Sequence, residues 1–493
     1  MNGENEKNTV KIKHLGIDFG SSSTAVVGFA EEFDTPILFE FQGEYCFRTA
    51  IAKLKENKTY LYSLAAINIK PELRDSYLLH SDIKEKIKIK EELARLYLTE
   101  LLTQIKNTER GGVKYDFSSL ESVCYGYPEY LYRRGKDDFM KVMSRLVPTI
   151  VKKVFGSKTK TVFGEGEPQL ATVAYHLTNM KKSDYPIERG ELILTLDFGG
   201  YTLDMSLLKA DDGGVLKQIK SESCEVLPGG TGKTITKMIC ESVYADEVFD
   251  DGVDRAKIAL YTNGEVDGVH LKYKKCGEQI SLKYIENARG RIYDTITVTE
   301  HRDGVKGESH SIKVGDVYDS AAGIVSGFLE NGTDEDSKKI SHLLFTGGTS
   351  RIARMRDCVI ERIRRWLDVN RSELHIDRYD DTKVFIGSSA VDRDAYGWRT
   401  EARVPLKAEY AVAYGAALVA RDRDLLKNGR MPKQTVGTEA KGLAQKQRKY
   451  LEEKRTELKG ILNEIRYGDI RTLDEVEARL ERLYSELGTF PSK

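Results

Sequence analysis

Two short stretches of this chain hold the residue types that phosphoryl chemistry needs. They are GIDFGSSSTAVVGFA at 16–30 and TLDFGGYTLDMSLLK at 195–209. With Asp18 set on Asp197, Asp-Phe-Gly repeats, Ser21 falls on Gly200 and Ser23 on Thr202. Phosphoryl transfer asks a protein for positioned donors around the phosphates and for acids to hold a magnesium shell. Glycine at 20, 199 and 200 lets backbone N–H groups approach an anion closely. The hydroxyls of Ser21, Ser22, Ser23 and Thr202 add donors. A carboxylate at the end of a buried strand, such as Asp18 or Asp197, holds Mg²⁺ through water, because that ion keeps part of its hydration shell. Two such turns facing each other would clamp a phosphate chain from both sides.

The elements that must position these groups are legible around them. In each copy an apolar run precedes the Asp and an apolar-rich run follows the Ser or Thr. That pattern reads as strand, glycine turn, strand: a β-hairpin. The copies lie a domain's length apart, so duplication of one α/β domain is the simplest account. A third glycine site is HLLFTGGTSRIARMRDCVIERIRRWL at 342–367. There a short strand meets a turn at Gly347-Gly348. Thr349 or Ser350 then caps a helix whose Ile352, Met355, Val359, Ile363 and Trp366 recur at helical spacing. Its N-terminus suits phosphate or ribose. AEYAVAYGAALVARD at 408–422 reads as a helix packed so closely that only Ala and Gly fit, and EPQLATVAYHL at 167–177 as a short helix opened by Glu167-Pro168. Residues 81–107 read as one amphipathic helix, 265–315 as strands with a helix, and 376–404 as a loop-like insertion. After Pro432, Leu451, Leu458, Ile461 and Ile465 mark one helix face. A Thr472/Glu475 capping box opens a second helix, with Leu473, Val476, Leu480, Leu483 and Leu487 along it. This predicts an antiparallel helical hairpin.

Composition bounds the rest. The chain has 493 residues, 40% of them apolar, enough for more than one core. Basic and acidic residues balance at 77 each, which argues against a protein built to coat nucleic acid or an anionic membrane. The six cysteines form no CxxC pair and the histidines no HExxH, so neither a disulfide framework nor a zinc site is expected. The polar start, MNGENEKNTVKIKH, is no secretory signal, and no apolar run is long enough to span a bilayer. A cytoplasmic, multidomain protein with reduced thiols is the expectation.

Taken in order, these segments resemble the actin/DnaK/sugar-kinase superfamily, most of all the nucleotide-binding half of DnaK-type heat-shock chaperones. The resemblance runs from about residue 12 to residue 422. GIDFGSSS resembles the first phosphate loop and LDFGGYTLD the second. YGYPEYLYRRGKDDF at 125–139 with EPQLATVAY resembles the first connecting region, LFTGGTSR the adenosine loop and AEYAVAYGAA the second connecting helix. The resemblance implies an α/β, two-lobed actin-like ATPase fold made of duplicated ribonuclease-H-like domains. Lobe I would span 10–190, with 405–425 returning to it, and lobe II 191–404, followed by the helical hairpin at 430–490. It implies ATP/ADP and Mg²⁺ as ligands. Asp18 and Asp197 would organise the magnesium and its waters, and Asp204 would position metal or attacking water. Gly20, Ser21, Ser22, Ser23, Gly199, Gly200, Tyr201 and Thr202 would surround the phosphates. Glu167 would stand near the metal shell and Gly229-Gly230 beside the ribose. Gly347, Gly348 and Thr349 would contact the adenosine, with Arg351 stacked on the base. DRAKIAL at 254–260 resembles the family's second base-binding helix, with Asp254 and Lys257 in place.

The departures are specific. Tyr201 stands where the family has a third glycine and would narrow the γ-phosphate site. Ile258 replaces a stacking arginine. Lys84 is either the catalytic lysine or a solvated surface residue. The helical residues after Arg421 leave no room for a peptide-binding β-sandwich. Four readings follow: a slow ATPase acting as a conformational switch for a protein partner, with the C-terminal helices as the candidate interface; an actin-like filament protein that self-assembles; a small-molecule kinase with Asp204 as base; or a fold that has lost hydrolysis. A P-loop reading of PGGTGKT at 228–234 fails on Leu227 where glycine is required, leaving Lys233 an ordinary residue of a helix's first turn.

Overall fold

In a computed structural model, the stretch around Asp18 forms the expected hairpin. Strand β1 (Asn8–Phe19) turns into an antiparallel β2 (Ser23–Ala30), with Asp18 opposite Ala25. The structure describes residues 8–427 apart from short stretches, chiefly 31–35, 129–137, 180–186, 227–231, 245–250, 272–278, 287–293, 331–339, 367–374, 379–384 and 394–398. The chain divides into two compact units, Met1–Lys427 and Asn428–Lys493. The helical hairpin expected at 430–490 lies outside the described residues.

The fold is mixed α/β. On the other side of β1, strands β3 (Ser122–Tyr127) and β4 (Thr161–Gly166) add in parallel, while Pro36–Leu38 pairs antiparallel with β2. The second hairpin repeats this plan. Strand β5 (Leu192–Phe198) turns into an antiparallel β6 (Leu203–Ala210), and β6 pairs with an antiparallel β7 (Leu216–Cys224). Strand β8 (Ile340–Thr346) and then His375–Arg378 add in parallel to the far side of β5. Both sheets therefore share one five-strand order: two antiparallel strands, the Asp-bearing strand, then two parallel strands. Parallel strands need crossover helices. These are α1 (Glu91–Asn107) and α2 (Asp138–Phe155) for the first sheet, and α6 (Gly315–Glu330) and α7 (Ala353–Trp366) for the second. A sheet covered on both faces reads as unbroken apolar runs rather than alternation. Strands β5 and β8 are accordingly buried at every position.

Two helices lie between the sheets. Helix α3 (Glu167–Asn179) and helix α8 (Ala411–Arg421) form one core with Ala25, Val27 and Cys124 of the first sheet and Ile193, Leu208 and Leu344 of the second. Helix α8 is buried from Ala411 to Ala420. The expected small-residue packing is explicit here. A Cβ on Gly16 would sit 2.1 Å from the Ala413 carbonyl, and one on Gly415 would sit 1.8 Å from that of Leu170. Neither backbone can retreat, so both positions require glycine.

Three elements depart from the sequence reading. The helix expected over 81–107 begins at Glu91, because Asp82 instead pairs with Lys86 and Lys90 and Lys84 turns inward. Residues 265–313 form a four-stranded sheet with no helix before Gly315 among the described residues. The stretch read as a loop at 376–404 contributes strands Phe385–Arg393 and Arg399–Pro405, and the first pairs parallel with Pro36–Leu38.

Candidate active site

The two hairpin turns face each other. A Cβ on Gly200 would lie 2.5 Å from Ser22 Oγ, so the second turn abuts the hydroxyls of the first. Each turn is braced from behind. Thr49 donates its N–H to the Ser22 carbonyl (3.1 Å) and its hydroxyl to the Gly20 carbonyl (2.8 Å). In the second turn the Gly200 carbonyl accepts from Lys233 N (3.0 Å), at the start of helix α4 (Gly232–Ser242). The Gly199 carbonyl accepts from the Thr349 hydroxyl (2.9 Å). Thr349 thus ties the third glycine site to the second turn rather than capping α7. The Ser350 hydroxyl donates to the Gly347 carbonyl instead. Gly347 has φ +82°, and a Cβ there would meet Asp197 Oδ1 at 2.3 Å.

Around these turns is a cavity of about 510 Å³, a size suited to a nucleotide. At the hairpin turns it is lined by Asp18, Gly20, Ser21, Ser22, Ser23, Gly199, Gly200, Tyr201 and Thr202, with Lys84 beside the acidic Glu167, Asp197 and Asp204. Asp254 and Lys257 of helix α5 (Asp251–Asn263) line it as well, as do Gly347, Gly348 and Thr349. The structure therefore gathers most of the expected site residues. Gly229 and Gly230 lie outside the described residues, as do the side chains of Ile258 and Arg351.

Four carboxylates and one ammonium converge here. Lys84 is 3% exposed and donates to Glu167 Oε1 at 2.6 Å. This excludes the solvated-surface alternative for Lys84. Burial pulls its ammonium down, but Glu167, Asp18 and Asp204 carry it above the usual lysine range. Asp197 and Asp204 are cross-strand partners on β5 and β6. Burial, then the Glu167 charge, pushes Asp18 and Asp204 each up to about 7. Burial, then Asp204, raises Asp197 well above the usual carboxylate range. Asp204 Oδ2 accepts from the Thr202 hydroxyl (2.6 Å), while its buried Oδ1 accepts no hydrogen bond among the described residues. Buried carboxylates left so short of cations are costly unless a cation or protons join them. Hard oxygen donors of this kind fit Mg²⁺. Among the described residues, no three His, Cys, Asp or Glu side chains stand together as direct ligands of one ion, so the fit is to an ion that keeps most of its waters.

Asp254 and Lys257 are locked together. Lys257 Nζ donates to Asp254 Oδ1 (2.7 Å), to Thr236 Oγ1 (2.7 Å) and to the Gly232 carbonyl (3.1 Å). Burial opposes ionisation of Asp254, but Lys257, then Arg48, holds its carboxyl well below the usual range. Tyr201 lines the cavity and donates its hydroxyl to Glu225 Oε1 (2.7 Å). Sequence reasoning missed several lining residues: Arg48, Cys46, Lys233 and Tyr261. Tyr261 had a usable signal, because it follows Lys257 by four positions and so shares its helix face. Arg48 and Cys46 sit outside any motif, and only the fold brings them here.

No protein-family model matches the chain, and no curated protein matches it.

Proposed function

We propose that the chain is a two-lobed ATPase of the actin/DnaK/sugar-kinase kind that binds Mg-ATP, hydrolyses it slowly and acts as a nucleotide-driven switch for a protein partner. The observation that carries this reading is the pair of hairpin turns set tip to tip, with Asp18, Glu167, Asp197 and Asp204 gathered around Lys84. The N–H groups of the two turns and the hydroxyls of Ser21, Ser22 and Thr202 would hold the phosphates. Asp18 and Asp197 would hold Mg²⁺ largely through water. When bound, that ion neutralises charge on the phosphate oxygens. Lys84 would offset the charge that develops as the γ-phosphoryl group leaves, and Asp204 Oδ1, free to accept, would orient the attacking water. The β-strands behind the turns keep these groups in place before substrate arrives. Closure of the two halves on ATP and loosening after hydrolysis would be the motion a partner reads.

The test is phosphate release from Mg-ATP across a hundredfold range of protein concentration, with wild type beside Asp197→Ala. Slow turnover per molecule that is flat with concentration, and falls about a thousandfold in the variant, is expected. Turnover that rises above a threshold concentration would replace the switch with a self-assembling filament. No release with ATP bound would leave the fold with its hydrolysis lost.

A further inference from the structure

Helix α5 presents Tyr261 to the cavity beside Asp254 and Lys257. The tyrosine is built in from behind. Its hydroxyl shares a hydrogen bond with that of Tyr318 on α6. Its ring lies 5.2 Å from that of Tyr284, tilted by 55°. Tyr284 in turn donates to Asp294 Oδ2 (2.8 Å), which also accepts from Arg354 Nε (3.1 Å). A ring packed against other rings, one of them anchored by a partly buried ion pair, keeps one orientation, and its hydroxyl is already committed. What it offers a ligand is carbon surface.

Two of the polar side chains nearby, Lys257 and Thr349, are committed too. An ammonium has three N–H donors, and Lys257 spends them on Asp254, Thr236 and the Gly232 carbonyl. The Thr349 hydroxyl is given to the Gly199 carbonyl. Adenine and guanine differ in the donors and acceptors along one edge, N6–H₂ against O6. A site discriminates strongly between two such ligands only when it hydrogen-bonds the group that differs. An aromatic wall does not, because every base has a π-face.

We infer that Tyr261 is the wall against which the nucleobase packs, and that the site takes adenine and guanine nucleotides alike. This rests on the nucleotide-binding reading above and deepens it. The turns and carboxylates take the phosphates. The α5 wall is left for the nucleoside, where recognition comes from ring area rather than from base-edge hydrogen bonds.

The experiment is displacement of a fluorescent ADP analogue from the full chain with Mg²⁺ present, using ADP, GDP, UDP and inorganic tripolyphosphate as competitors. In wild type, ADP and GDP should compete within about tenfold of each other, with UDP weaker than both. Tyr261→Ser should weaken ADP and GDP together by about fivefold or more. Tripolyphosphate should compete equally well against both proteins, which separates loss of the wall from loss of the fold. Tyr261→Phe, which keeps the ring, should bind like wild type. A preference for one purine beyond about tenfold, or a Tyr261→Ser protein with undiminished affinity, would overturn the inference and leave the nucleotide reading standing. Failure of the fluorescent analogue and of tripolyphosphate to bind wild type would overturn both.

Discussion

The two hairpins are built on one plan and loaded differently. In both, the Asp strand is flanked by an antiparallel partner on one side and a parallel strand on the other. Opposite Asp18 stands Ala25, whereas opposite Asp197 stands Asp204. The first turn offers serine hydroxyls and is braced by Thr49. The second offers glycine backbone and is braced by Lys233 N and Thr349. A repeated scaffold thus fixes where two turns meet, and a single cross-strand position decides which of them carries the extra acid. In this reading the first hairpin mainly binds, and the second binds and acts.

The sharpest way to break that comparison is at Asp204. Asp204→Asn should lower kcat by about 10²–10³-fold with KM for Mg-ATP changed little, because it removes an interaction made in the transition state. Asp18→Asn should instead raise the Mg²⁺ concentration needed and leave the saturated rate within about tenfold. Steady-state phosphate release separates the two, and equal losses in kcat would erase the division of labour. The same pair predicts a pH dependence. Both carboxyls are raised to about 7 in the folded protein, so the fold favours their protonated forms. Their contribution to stability is full below the unfolded value of about 4 and is lost as pH rises through about 7. The melting temperature of the nucleotide-free protein should fall across that window, and the fall should be shallower in Asp204→Asn.

A smaller effect is expected at Gly347, whose nearest neighbours belong to the second hairpin. Its φ of +82° and the approach to Asp197 and Phe198 leave no room for a methyl group. Gly347→Ala should destabilise by about 1–3 kcal/mol, read by urea unfolding. A neutral result would mean that the third glycine site does not press on Asp197.

The smallest effect concerns Tyr201, which stands where the first turn has Ser22. Its ring lines the cavity while its hydroxyl is held by Glu225. Tyr201→Gly should raise phosphate release by a few-fold, and Tyr201→Phe should cost about 1 kcal/mol of stability without that gain. A drop in rate with glycine would show that the tethered ring positions the turn rather than crowding the phosphate.

Much of this is legible in the amino-acid sequence. The Asp-Phe-Gly repeat placed both hairpins, because strand–glycine–strand is a local pattern governed by backbone sterics and apolar runs. The small-residue-rich helix at 411–421 was legible for a similar reason: a run of Ala and Gly signals close packing. The failures are equally physical. Lys84 lies in a polar, lysine-rich stretch and reads as surface or as site with equal ease, until Glu167 closes on it at 2.6 Å. The hairpin at 385–405 was hidden because its partner, Pro36–Leu38, is far away in the chain and carries no signal of the pairing. Thr349 satisfies a helix-cap pattern, yet its hydroxyl goes to Gly199 across a tertiary contact. By itself the sequence determined which residues sit on which turn, since local conformation follows from neighbouring residue types. Only the tertiary structure decided that the two turns meet, that four carboxylates share one lysine, and that Tyr261 reaches the same cavity. Those facts depend on contacts between segments far apart in the chain, whose closeness is set by the packing of two sheets on the helices between them.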